Sequence, residues 1–417
     1  MLPFLGRPPA LTAHQWHLLG VVGAATLFAE YGMAILGLAL PQIQAGLRVA
    51  EGEVGTLTAI IRLGVIPALL LTALADHVGR RVLLLTTIVG FTLVTLLTAF
   101  AQDAVQFTAL QFVSRVFIAA EVMLAVVVVA EEFDADTRGW GIGMIGALGT
   151  LGHGVAAILF SLVNVLPFGW RALYVIGVAP VLLLPWFRRS LVETRRFELH
   201  RGTQAGDFGW HAALRPFRNL GRMYPGRMIA LGAALIPLAF TLETAVTFLS
   251  KSLQQAHGYS PASVASLFLT IGVLAPIGNV VGGALADRIG RKRVIVVSVL
   301  VNSLAVALFY NTRGVWVPPL MGVMLLTLAM ILVMFAALGS ELFPTSYRST
   351  ASGVRALVTT LGAALGLWME SLLYGVTGSH ARAITWMLVI TPVAPLVVAF
   401  FLPETANQEL EDIAPEK

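Results

Sequence analysis

Twelve runs of roughly 20 apolar residues, separated by short polar breaks, leave this chain very few ways to fold. They centre near Glu30, Gly64, Phe91, Ile118, Leu151, Val178, Ala239, Val273, Leu300, Leu326, Gly362 and Ile390. A run of that length crosses the hydrocarbon layer of a bilayer as a helix. Lipid tolerates only helices or closed barrels, because no water is present to satisfy a free backbone group. The runs lack the polar–apolar alternation of barrel strands. The expected fold is therefore all-α and integral to a membrane. Composition agrees: 57% of the 417 residues are hydrophobic and 12% charged, about half the charged share of a soluble domain.

Charge placement predicts the orientation. The loops after the even-numbered runs, together with both termini, carry 20 of the 27 basic residues. The opposite loops hold Arg48, Arg171, Lys251, Arg313 and Arg382, and Arg62 and Arg115 fall within runs. Basic loops stay in the cytoplasm, so both termini are expected there, in the cytoplasmic (inner) membrane of a bacterium-like cell. The net charge of +5 thus reads as topology rather than as a nucleic-acid surface. The start of the chain, with Pro8 and Pro9, lacks the layout of a cleaved signal peptide. No cysteine is present, which excludes disulfides and thiolate metal sites.

The chain repeats itself. Leu74-Ala75-Asp76-His77-Val78-Gly79-Arg80-Arg81 recurs as Leu285-Ala286-Asp287-Arg288-Ile289-Gly290-Arg291-Lys292, 211 residues later. Glu131-x-Phe133-x4-Arg138 recurs as Glu341-x-Phe343-x4-Arg348 at an offset of 210, and Glu193-Thr194 as Glu404-Thr405 at 211. Two parallel six-helix repeats follow, since six is even. The expected boundaries are 1–187 for the first half, 188–227 for a basic central loop, and 228–417 for the second half with a short tail. Asp76 and Asp287 precede the third and ninth runs, where a carboxylate favours a helix N-terminus. Gly79 and Gly290 allow a tight turn. Arg80, Arg81, Arg291 and Lys292 can pair with Glu131, Glu132 and Glu341.

The Leu-Ala-Asp-x-x-Gly-Arg-Arg/Lys loops resemble the signature loop of the major facilitator superfamily. The second copy, from Gly283 to Lys292, is nearly complete; the first has Thr72 and His77 at two positions of the pattern. Arg115-x-x-x-Ala119-Ala120-Glu121, Glu341-Leu342-Phe343-Pro344-Thr345 and Pro403-Glu404-Thr405 are similar to the metabolite–proton symporter and sugar-porter branches. The resemblance implies that the loop pairs, including Arg138 and Arg348, gate the cytoplasmic ends of the two halves. It also implies that the first and fourth helix of each half line a central cavity.

Charges inside a bilayer are costly and are functional candidates by default. Here they are Glu30, Arg62, Arg115, Glu121, Glu243 and Glu370, with Asn279 and His153 as milder cases. The resemblance places Glu30, Arg115, Glu121 and Glu243 on the substrate path. Arg115 and Glu121 are roughly 9 Å and 120° apart on one helix, so they serve different partners. Simpler readings exist: Arg62 snorkelling to the surface, Glu370 at the outer interface, His153 as a packed core histidine, and Glu30 with Arg115 as a structural ion pair. Glu30 is the leading proton carrier, since desolvation favours the neutral acid and a nearby cation the ionised one.

Gly141-x-Gly143-x-x-Gly146 matches a dinucleotide fingerprint but follows no strand. Gly139, Gly143 and Ala147, and Gly146, Thr150 and Gly154, instead predict close helix packing in lipid. No phosphate loop, nucleophile elbow or metal-ligand spacing occurs, so no enzyme activity, cofactor or metal is expected. The expected function is alternating-access transport of a small organic anion with protons, by a monomer. Proton-antiport export is the alternative direction. A receptor or sensor on the same fold is the alternative class.

Overall fold

The computed structural model describes residues 9–134, 137–190, 193, 218–344, 347–406, 408 and 413, apart from the side chains of Asp76 and Ser349. Arg195, Arg196, Arg201 and Arg215 of the central loop, and Thr345, lie outside the described residues. Twelve helices are long and apolar enough to cross a membrane. Spans 1 to 6 are Ala13–Leu38, Glu51–Ala73, Arg80–Ala99, Ala104–Glu132, Arg138–Phe160 and Trp170–Ser190. Spans 7 to 12 are Pro225–Ala256, Pro261–Ile289, Arg291–Asn311, Gly314–Glu341, Thr350–Thr377 and His380–Phe401. No strand occurs among the described residues, so the chain adopts the expected all-α membrane fold.

Local chemistry sets where spans begin. Thr12 and Gln15 form a reciprocal capping box at span 1, which satisfies two otherwise orphaned N–H groups. Asp103, Ser260 and Ser379 cap spans 4, 8 and 12. Two basic residues expected in loops lie inside spans: Lys251 in span 7 and Arg355 in span 11. The apolar run of span 7 stops at Lys251, but the helix continues beyond it through a π-helical turn, Ser252–Ala256.

The chain divides into two compact units, residues 1–48 with 64–207, and residues 49–63 with 208–417. The same pairings recur in both. Span 1 packs along span 5 and span 3 on span 4; span 7 packs on span 11 and span 9 on span 10. Glycines make the close approaches. A Cβ on Gly152 would collide with the Leu27 carbonyl, and one on Gly366 with the Phe240 carbonyl. The stripe predicted on span 5 is corrected: a Cβ on Gly139, Gly143 or Gly146 would meet nothing within 4 Å. The buried stripe is Gly141, Gly149 and Gly152, because those positions face spans 1 and 4.

Spans 2 and 8 break at corresponding places. Span 2 is interrupted at Leu63–Gly64, three residues before Pro67, and span 8 at Gly272–Val273, before Pro276. Proline has no N–H to return to the preceding turn, so each helix resumes in a new segment. In span 2 this break coincides with the division between the units.

Candidate transport site and gate loops

In the first unit, spans 1, 4 and 5 bring the acidic candidates together. Glu121 is completely buried and accepts a hydrogen bond from Thr26 Oγ1 at 3.2 Å. Thr26 lies one turn before Glu30 on the same helix. Glu30 meets His153 Nδ1 at 3.8 Å, not Arg115, which replaces the predicted ion pair of spans 1 and 4. His153 is exposed rather than a packed core residue. Gly149 makes room for Glu30, since a Cβ there would stand 3.1 Å from its Cγ. Arg115 borders the break in span 2, its Cβ 3.0 Å from where a Gly64 Cβ would be. Gln111, one turn before Arg115 on span 4, donates to Thr98 Oγ1 at 3.1 Å.

In the second unit, Arg62 Nη2 lies 2.5 Å from Glu243 Oε2, with the side chains 24% and 30% exposed. Arg62 turns to a carboxylate partner within span 7. Glu243 ends a π-helical turn, Ala239–Glu243, an irregularity that often re-aims a functional side chain. Glu370 lies near the end of span 11 but away from solvent. It is completely buried, with Oε1 2.6 Å from His380 Nδ1. His380 Nε2 is 2.9 Å from Glu51, which in turn is 2.7 Å from Lys251 Nζ. Asn279 is exposed on span 8. Glu51, Lys251 and His380 escaped the sequence reading because each sits near the end of a span, where charge is ordinary. Only Glu370, within the apolar stretch of span 11, marked the cluster.

The two signature loops turn on glycines of nearly the same backbone conformation. Gly79 has φ 107° and Gly290 φ 97°, a region closed to residues with a Cβ. Arg80 pairs with Glu131 at 3.0 Å and Arg291 with Glu341 at 2.6 Å, each pair within one unit. Arg81 donates to the Arg188 carbonyl at 3.0 Å. Arg138 and Arg348 open spans 5 and 11. The sequence expectation placed the two aspartates just before the starts of spans 3 and 9. Asp287 lies in the last turn of span 8, and the Asp76 side chain is outside the described residues.

The carboxylates at those helix starts come from 113 residues further along. Glu193 Oε1 accepts from the Arg80 and Arg81 N–H groups at 2.8 and 3.2 Å. Glu404 accepts from the Arg291 and Lys292 N–H groups at 2.9 and 3.2 Å. Burial alone would raise the Glu404 carboxyl. Four backbone N–H donors, from Ala406, Arg291, Lys292 and Thr405, together hold it below the ordinary range. The third sequence repeat thus closes the loop that the first one opens.

Twelve spans in two matching sixes, with paired signature loops, meet a direct comparison. The sequence profile of the Major Facilitator Superfamily matches residues 22–366 and 229–416. The chain belongs to the Major Facilitator Superfamily. It is a multi-pass membrane protein and a secondary transporter of small solutes, not an enzyme. This superfamily member is 27% identical over 411 residues to a probable 4-methylmuconolactone transporter of Cupriavidus pinatubonensis, covering 92% of this chain and 89% of the relative. It is 24% identical over 435 residues to a niacin transporter of Acinetobacter baylyi, covering 96% of each. A solved D-xylose–proton symporter matches its fold with a TM-score of 0.77 at 17% identity, over 95% of this chain and 100% of that one.

Proposed function

We propose that the chain carries a small organic anion, a carboxylate metabolite, together with a proton by alternating access. The observation that carries this reading is the Arg62–Glu243 pair. A guanidinium inside a bilayer needs a counter-charge, and Glu243 supplies it when no solute is bound. Both side chains stay about a quarter open, so a solute carboxylate can take the fork that Glu243 leaves. Glu243 is then an unpaired carboxylate in lipid, and a proton is what neutralises it. One anion and one proton therefore enter together. Relatives named for 4-methylmuconolactone and niacin support a compact ring solute.

Arg115 is the second anion-binding candidate, while Glu121, bonded to Thr26 one turn before Glu30, forms with Glu30 a second place for a proton. The Arg80–Glu131 and Arg291–Glu341 loops act as gates at the basic, cytoplasmic side, where both termini lie. One chain in the inner membrane suffices. Arg62→Lys tests the anion role, because an ammonium keeps the charge but loses the bidentate fork. Its solute affinity is expected to fall about tenfold or more, as the loss of one charged hydrogen bond requires. Unchanged affinity of purified Arg62→Lys for the transported carboxylate would remove Arg62 from the site.

A further inference from the structure

His380, at the start of span 12, lies between two carboxylates. Its Nδ1 is 2.6 Å from Glu370 Oε1 and its Nε2 is 2.9 Å from Glu51 Oε2. A neutral imidazole has one N–H, so it can donate to only one of them and turns a lone pair on the other. Two short contacts with ionised carboxylates need one more proton than a neutral histidine has. It can sit on the imidazole or on a carboxyl.

The charge balance asks for the same proton. Glu51 and Glu370 bring two negative charges, and Lys251 brings one positive charge at 2.7 Å from Glu51. One added proton makes the four residues neutral. Neutrality matters here because Lys251 is 2% exposed and Glu370 completely buried. Aromatic rings also face the imidazole. Tyr374 stacks on it with centroids 4.4 Å apart, and Phe248 covers it at 4.8 Å. From span 9, Tyr310 commits its hydroxyl to the Ala245 carbonyl at 2.5 Å. Glu51 is 40% exposed and, with Lys251 and His380, lines a cavity of about 270 Å³. That cavity gives the proton a way in from water.

The same cluster holds the first segment of span 2. Thr56 N–H donates to Ser371 Oγ at 2.7 Å, and a Cβ on Gly55 would collide with the Leu367 carbonyl. Glu51 adds the ionic end of that seam. We propose that Glu370, His380 and Glu51 share a bound proton, and that this proton clasps residues 49–63 to spans 7, 11 and 12. When it leaves to water through the cavity, the cluster holds a net negative charge and a lone pair faces a carboxylate. Glu51 is the exposed partner, so its contact parts first and residues 49–63 loosen. The clasp needs no solute and holds the start of the 49–63 segment, whereas Arg62–Glu243 holds its end, so its test stands apart from any transport assay.

The chain has no cysteine, so Glu53→Cys with Arg382→Cys gives two unique sites for spin labels. Both positions are exposed in the second unit. Electron paramagnetic resonance distances are measured on the full chain in lipid nanodiscs, without solute, from pH 5 to 9. The expected result is one short-distance population at low pH and a longer one that grows at high pH. Their ratio changes by up to about tenfold per pH unit, the limit for one proton. In Glu370→Gln the amide donates to Nδ1 without an added proton, and the short distance is expected at every pH. A wild-type distribution that stays fixed across this range overturns the clasp, with no variant needed. Retention of the full pH response in Glu370→Gln overturns it equally.

Discussion

Glu193 and Glu404 each lie beyond the last helix of a six-span repeat and hold the start of its third. For Glu404 the folded state keeps the carboxyl below its ordinary range. A depressed group contributes stability above its unfolded value, about 4.3, and loses it as pH falls through the folded value. Wild-type protein in detergent is expected to lose thermal stability below about pH 4 more steeply than Glu404→Gln does. Superimposable acid limbs for the two proteins would show that the carboxylate is not anchored there. At this scale the sequence was half legible. Hydropathy singled out Glu30, Arg62, Glu121, Glu243 and Glu370, because a charge among apolar neighbours stands out. Their partners did not stand out. Arg62 meets Glu243 and Glu30 meets His153 across spans distant in sequence, and periodicity along one helix holds no information about which face meets which neighbour.

Helix pairs within the six-span repeats approach closely at small residues and add polar bonds such as Thr26–Glu121 and Gln111–Thr98, as lipid offers no hydrophobic drive between helices. Gly152 lies against the Leu27 backbone, whereas Gly143 faces open space. Gly152→Val is therefore expected to destabilise by about 1–3 kcal/mol or more through overpacking. Gly143→Ala is expected to be neutral or to stabilise by up to about 1 kcal/mol, since alanine is the better helix former. Thermal unfolding of both variants in detergent measures the contrast, and equal effects would contradict the packing. Span 5 shows why stripes mislead. With Gly139, Gly141, Gly143, Gly146, Gly149 and Gly152 in one helix, several small-residue stripes satisfy the spacing. Only the packing of spans 1 and 4 selects the stripe that is buried. The broken spans were legible only as proline positions. That the first segment of span 2 groups with the second unit depends on its contacts with span 11, which no local signal encodes.

The whole molecule was the most legible level, because membrane insertion imposes one length and one polarity on every span. Twelve spans emerged at the expected places, and the internal repeat is matched by recurring packing pairs in the two units. The solute was not legible, since recognition of a small molecule rests on a few side chains, here proposed to include Arg62 and Glu243, that the fold itself does not require. On the proposed reading, charge balance at that pair ties an anion to a proton, and this coupling can be measured directly. Purified protein in liposomes is given an acidic exterior, with an internal pH dye and a panel of small radiolabelled carboxylates. Proton-coupled carriage predicts accumulation of a carboxylate above its outside concentration, with simultaneous internal acidification. It also predicts that Glu243→Gln loses that accumulation but still exchanges labelled for unlabelled solute. Accumulation that ignores the pH gradient, or that persists undiminished in Glu243→Gln, would contradict it.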